Sequence, residues 1–152
     1  MGVSRGTYSF HAIRSPPLTY MEKYTKEAAV SPGSRIFVVD DEPVIASSLA
    51  AILRTNGFSA RFFTSPLEAL AAARSESPDL VISDVAMPGI SGIELAIQMK
   101  AQCPNCKILL FSGQAATLDL LEGARTRGYD FRLLQKPVYP SEFLSEIGQL
   151  SA

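Results

Sequence analysis

The sequence predicts an α/β fold: a five-stranded parallel sheet with helices on both faces. Two observations predict it. From Ser34 onward, a short apolar run followed by a segment of helical periodicity repeats five times. The first run, Arg35-Ile36-Phe37-Val38-Val39, is continuous rather than alternating, as in strands buried on both faces. A repeated βα unit builds a parallel sheet with right-handed crossovers.

Arg35-Ile36-Phe37-Val38-Val39 is the first strand, and it ends in Asp40-Asp41-Glu42. Pro43 to Asn56 carries apolar residues at Val44, Ile45, Leu49, Ile52 and Leu53. That is helical spacing, and Asn56-Gly57 supplies the stop. Phe58 to Phe63 is the second strand. Ser65-Pro66-Leu67-Glu68 is a capping box with proline at the first helical position, opening a helix to about Arg74. Leu80 to Asp84 is the third strand. Ser91-Gly92-Ile93-Glu94 is a second capping box, opening a helix to about Gln102. Lys107 to Phe111 is the fourth strand and Thr117 to Arg127 the fourth helix, stopped at Gly128. Phe131 to Gln135 is the fifth strand, and Pro140 to about Leu150 the fifth helix.

The chain has 152 residues, 47% of them hydrophobic and 19% charged. This is a globular composition, not a disordered one. A domain of this size buries roughly 70% of its unfolded surface, enough to need no disulfide framework or structural metal. The net charge of −1 gives no reason to expect nucleic acid or a membrane as partner. No apolar run reaches the roughly 18 residues of a membrane span. Arg14-Ser15-Pro16-Pro17 interrupts anything resembling a signal peptide. The expected location is cytoplasmic.

Residues 1–33 stand apart as an N-terminal extension. They hold four basic residues (Arg5, Arg14, Lys23, Lys26) and two acidic ones (Glu22, Glu27), and turn signals at Ser15-Pro16-Pro17 and Ser31-Pro32-Gly33-Ser34. The segment reads as a flexible lead or a short helix over Leu18–Val30, where Tyr20, Tyr24 and Ala28 recur every four residues. Met21 offers a second start point, and the isolated His11 suggests no role. Residues 34–152 form the domain.

The chemistry lies where the strands end. Parallel strands bring their carboxyl ends to one edge of the sheet, where such folds bind ligands. That edge gathers Asp40, Asp41 and Glu42, then Asp84, then Ser112-Gly113, then Lys136-Pro137. Carboxylates crowded in a partly buried site repel by several kcal/mol. A hard divalent cation with oxygen ligands relieves this, and Mg²⁺ suits one or two carboxylates, waters and a phosphoryl oxygen. The ammonium and hydroxyl suit the remaining phosphoryl oxygens. A central carboxylate can accept phosphate as an acyl phosphate.

Val38-Val39-Asp40-Asp41-Glu42, Ser83-Asp84-Val85-Ala86-Met87-Pro88-Gly89 with Gly92, Ser112-Gly113 and Lys136-Pro137 resemble, in order and spacing, the motifs of the response-regulator receiver domain of two-component signalling. The resemblance covers about residues 34–150. It implies a flavodoxin-like (βα)5 sandwich with strand order 2-1-3-4-5. It implies Asp84 as phosphoacceptor, and Mg²⁺ held by Asp41 directly, by Asp40 mostly through water, by Asp84, and by the backbone carbonyl of Ala86. Ser112 and Lys136 would grip the phosphoryl oxygens, and the Lys136–Pro137 bond would be cis. The implied partners are a sensor histidine kinase or histidine phosphotransfer protein, and a downstream protein target of unstated identity, with homodimerisation on phosphorylation as a further outcome. The 16 residues after Lys136 suffice only for the last helix. The expectation is therefore a signalling module without output domain, not an enzyme, that reads out through protein contacts.

The chain departs from the pattern at Leu133, where receivers usually carry Tyr or Phe. Tyr129 and Phe131 are nearby but out of register. Signal relay is then expected through Ser112 and the loop 113–116 to the start of the fourth helix. Two other readings compete. Magnesium-dependent phosphohydrolases of the haloacid dehalogenase type place a second aspartate two residues after the nucleophile, but Ala86 stands there. A receiver that binds without phosphorylation would not need the full acid set and Lys136. Some residues also have plainer readings. Asp41 could be a helix N-cap before Glu42-Pro43, Ser112 a loop serine and Lys136 a solvated charge. Cys103-Pro104-Asn105-Cys106 has redox spacing but sits at a helix end, whereas redox pairs open helices, so it reads as structural.

Overall fold

A computed structural model describes residues 30–113 and 117–150. His11, Met21, the helix expected over Leu18–Val30 except for Val30 itself, and residues 114–116 of the fourth loop lie outside them.

The described residues form five strands, β1 (Arg35–Val39), β2 (Ser59–Phe63), β3 (Leu80–Asp84), β4 (Lys107–Ser112) and β5 (Arg132–Gln135). The helices that alternate with them are α1 (Pro43–Thr55), α2 (Pro66–Ala73), α3 (Gly92–Gln102), α4 (Thr117–Thr126) and α5 (Pro140–Leu150). All strand pairs are parallel, in the order β2-β1-β3-β4-β5. This is the flavodoxin-like (βα)5 sandwich.

Period-two alternation on the strands divides the core. Ile36 and Val38 of β1 point with Leu80, Ile82, Leu109 and Phe111 to the face covered by α1 and α5. Phe37, Val39, Val81 and Leu110 point to the face covered by α2, α3 and α4. Both sets are buried, which explains the unbroken apolar runs. Val30 is 4% exposed and packs with the α1–α5 face, so the core reaches further toward the N-terminus than the composition change at Ser34.

Helix starts follow local chemistry. The backbone N–H of Glu68 donates to Ser65 Oγ at 3.4 Å, and that of Glu94 to Ser91 Oγ at 3.1 Å. Each serine thus satisfies a donor that the first helical turn leaves open. At α1 the N-cap is Glu42, whose side chain makes no cap bond. Its backbone N–H donates instead to Asp40 Oδ1 at 2.9 Å. The cap reading of Asp41 is thereby corrected.

Two strand starts differ from the sequence expectation by one residue. The N–H of Phe58 donates to the carbonyl of Leu53, closing the end of α1, so β2 opens at Ser59. Phe131 is buried just ahead of β5 and packs on the α2–α4 face. At the other end of β4, Ser112 is the last strand residue rather than a loop residue.

Candidate functional site

Strand register brings the polar residues together. Val39 pairs with Ser83, so Asp40 and Asp84 stand side by side one residue further on. Asp84 pairs with Phe111, and Ser112 follows it. Ser112 pairs with Gln135, and the N–H of Lys136 donates to the Ser112 carbonyl at 3.0 Å. The order of strands reverses between β1 and β3, and this is where the carboxylates lie, at the crevice expected to bind ligands.

The carboxylate oxygens of Asp40, Asp41 and Asp84 fall within 4.8 Å of one another. Asp40 is fully buried and Asp84 is 6% exposed, whereas Asp41 is the most accessible of the three. Lys136 Nζ stands 3.4 Å from Asp84 Oδ1 and 3.9 Å from Asp40 Oδ2. The ammonium also lies 5.1 Å from the centroid of the Phe111 ring, which gives it an apolar and weakly attractive wall. The Lys136–Pro137 peptide bond is cis.

Among the described residues, one cation beside three carboxylates leaves the site short of positive charge. Burial pushes the Asp40 carboxyl above its ordinary pKa, and the Asp84 and Asp41 charges push the same way. The Glu42 N–H and Lys136 act against them. Asp40 Oδ2 is buried without a hydrogen-bond partner. A buried carboxylate oxygen without a donor carries a desolvation cost unless something neutralises it. An all-oxygen donor set with such an orphan atom fits a hard divalent cation of the Mg²⁺ kind.

Backbone geometry around Asp84 leaves no freedom at one position. A Cβ on Gly92 would lie 2.0 Å from the Asp84 carbonyl oxygen. The Gly92 N–H donates to the Val85 carbonyl at 2.8 Å. The first turn of α3 thus presses directly on the backbone that carries Asp84, and only glycine fits. Ala86 lies in the intervening turn, partly exposed, and Gly89 closes that turn at φ +84°.

Ser112 is 3% exposed, and its hydroxyl lies 2.6 Å from the hydroxyl of Thr117, the equally buried first residue of α4. Sequence reasoning singled out Ser112 and passed over Thr117. The two stand five positions apart, and nothing in that spacing marks a pair. Behind them, Leu133 borders a cavity of about 270 Å³ together with Ser112, Thr117, Leu118 and Lys136. Tyr129 and Phe131 stack on each other, centroids 5.6 Å apart, and do not line that cavity.

Cys103 and Cys106 are free and buried at the end of α3. Burial, with the neighbouring Cys103, pushes the Cys106 thiol up to about 12. Such a thiol supplies no thiolate near neutral pH.

A doubly wound sheet with acids at its switch point and a lysine before a cis bond defines a class, and comparison with known sequences gives the same answer. The chain belongs to the response regulator receiver domain family, whose model matches residues 36–148. It is 32% identical over 113 residues to the DNA-binding response regulator MtrA of Mycolicibacterium smegmatis, covering 74% of this chain and 48% of that one. It is 33% identical over 115 residues to the transcriptional regulatory protein CreB of Escherichia coli, covering 76% and 49%. The chain thus spans about half the length of the curated relatives it matches. Among solved structures, a CheY-like receiver domain protein from Methanospirillum hungatei superposes with a TM-score of 0.71 at 25% identity, covering 78% of this chain and 94% of that one. A receiver domain protein from Clostridium thermocellum gives 0.68 at 28%, with the same coverage. The family is a signalling module of two-component systems. Among the described residues, no helix is long and apolar enough to cross a membrane.

Proposed function

We propose that the chain is a phosphoacceptor response regulator, with residues 34–152 as its receiver domain and Asp84 as the acceptor. The phosphoryl group comes from a histidine of a sensor kinase or phosphotransfer protein, in the cytoplasm. The observation that carries this reading is the Lys136 ammonium 3.4 Å from Asp84, beside the carboxylates of Asp40 and Asp41.

An Asp84 oxygen attacks phosphorus. The O–P bond of an acyl phosphate forms as the N–P bond of phosphohistidine breaks, and the imidazole leaves with that electron pair. The Lys136 ammonium is already beside the attacking carboxylate and offers a charge-assisted hydrogen bond to a phosphoryl oxygen. Ser112 offers its hydroxyl to another. Phe111 keeps one side of the lysine dry, which strengthens its pull on the transferred charge. Asp41, Asp84 and the Ala86 carbonyl, with Asp40 mostly through water, would hold Mg²⁺, which would neutralise the acid cluster and the incoming phosphoryl group. The altered shape is read by a second protein, or by a second copy of the chain.

The test is incubation with acetyl phosphate and Mg²⁺, followed by intact mass. One added phosphoryl group is expected, absent with chelator and absent in Asp84→Asn. Labelling that persists in Asp84→Asn would overturn the assignment.

A further inference from the structure

We propose that Thr117 is a positioning residue of the phosphoryl site, holding the Ser112 hydroxyl in the resting state and yielding it to the phosphoryl group. This rests on the reading of Asp84 as acceptor.

The two hydroxyls are 2.6 Å apart and both residues are 3% exposed, so the bond is short and shielded from water. Ser112 ends β4, beside the acids, while Thr117 begins α4. The bond therefore ties the first turn of a helix to a group that must serve a second partner. A serine hydroxyl has one proton to donate. A phosphoryl oxygen carries charge and Thr117 does not, so the phosphoryl group is the stronger acceptor. When Ser112 turns toward it, the tie to α4 is lost.

The surroundings permit that motion. A cavity of about 270 Å³ adjoins both hydroxyls, and Leu133 and Leu118 form part of its wall. Leu133 is too small to fill it, and the stacked pair of Tyr129 and Phe131 stays outside. The space opens to the surface beside the exposed Leu118, and such a gap lets a helix start shift without forcing its neighbours off their rotamers. The pair Ser112–Thr117 thus couples site and helix where no aromatic ring is available to do so.

The coupling gives a directional test. Thr117→Val keeps the shape and removes the hydroxyl that bonds to Ser112. Beryllium trifluoride with Mg²⁺ serves as the probe, since it binds a carboxylate oxygen as a tetrahedral phosphoryl mimic, and ¹⁹F NMR on the full chain reads its occupancy. Thr117→Val is expected to bind about 3- to 10-fold tighter than wild type, the worth of one hydrogen bond. Thr117→Ser, which restores a hydroxyl, should return to within about twofold. In a Ser112→Ala background, Thr117→Val should change nothing. Thr117→Ala gives the same direction and serves if valine disturbs the helix start. Unchanged or weaker binding in Thr117→Val, or an equal effect without Ser112, overturns the inference while leaving Asp84 in place. An adduct that survives Asp84→Asn overturns the parent reading and this inference with it.

Discussion

Asp40 is the residue on which the electrostatics of the site turn. It is fully buried, accepts from the Glu42 N–H just ahead of α1 with one oxygen, and leaves the other without a donor. Its carboxyl is raised above 3.8, chiefly by burial. A carboxyl raised in the folded state binds its proton more tightly folded than unfolded. Its contribution to stability is therefore complete below the ordinary carboxylate pKa and is lost as pH climbs through the raised value. Asp40→Asn keeps an acceptor for Glu42 and removes that loss. Without metal, the variant is expected to melt about 2–4 °C higher at neutral pH, the equivalent of roughly 1 kcal/mol in a domain of this size. Its melting temperature should also fall less than that of wild type between pH 4 and 7. A melting curve that shifts downward would show that the Lys136 pairing outweighs the burial cost. Gly92 gives the opposite kind of prediction. Gly92→Ala puts a Cβ 2.0 Å from a backbone oxygen that no side-chain rotation can move. The expected loss is about 1–3 kcal/mol, toward the upper end because backbone must shift, together with slower labelling of Asp84. Thermal melts and timed intact mass check the two effects together.

The start of α4 is the element most exposed to change. It hangs on a side-chain bond to Ser112 and borders a cavity, whereas α2 and α3 each open on a serine cap. Hydrogen exchange on the phosphorylated or beryllofluoride-bound chain is expected to change at residues 117–120 and to stay level at α2. Leu133→Phe should fill part of the cavity. The gain expected from filling is about 0.5–2 kcal/mol, with slower exchange at 117–120. A lower melting temperature in that variant would mean that the space cannot take a ring. What was legible in the sequence divides at this level too. The βα units announced themselves through short apolar runs and periodic helices, two of these opened by serine capping boxes, because strand burial and open helix donors are local demands. Asp40, Asp41, Asp84, Ser112 and Lys136 could be gathered because parallel strands must end on one edge. Thr117 could not, since its partnership depends on how a loop returns α4 to the end of β4. The burial of Val30 was equally hidden, because the cluster it joins gathers strands and helices far apart in sequence.

For the whole molecule, the account makes the acid cluster a store of repulsion that binding relieves. Three carboxylates crowd together and Lys136 pairs with two of them, Asp40 and Asp84. Mg²⁺ should therefore raise the melting temperature, by the equivalent of roughly 2.7 kcal/mol at about 100 times its dissociation constant. The rise should shrink in Asp40→Asn and Asp84→Asn. A flat response to millimolar Mg²⁺ in wild type would count against a shared site. The match to this chain covers about half the length of the curated relatives named above. The central claim is narrower: one carboxylate, at the end of β3, carries the phosphoryl group. An acyl phosphate differs from every other phosphorylated side chain in being reduced by borohydride to an alcohol. The most direct measurement is to phosphorylate the full chain with Mg²⁺ present, reduce it with borohydride, and map the peptides by mass. The account predicts homoserine at position 84 and unaltered aspartate at positions 40 and 41. Reduction at either of those, or none at 84 in a chain that carries phosphate, would contradict it.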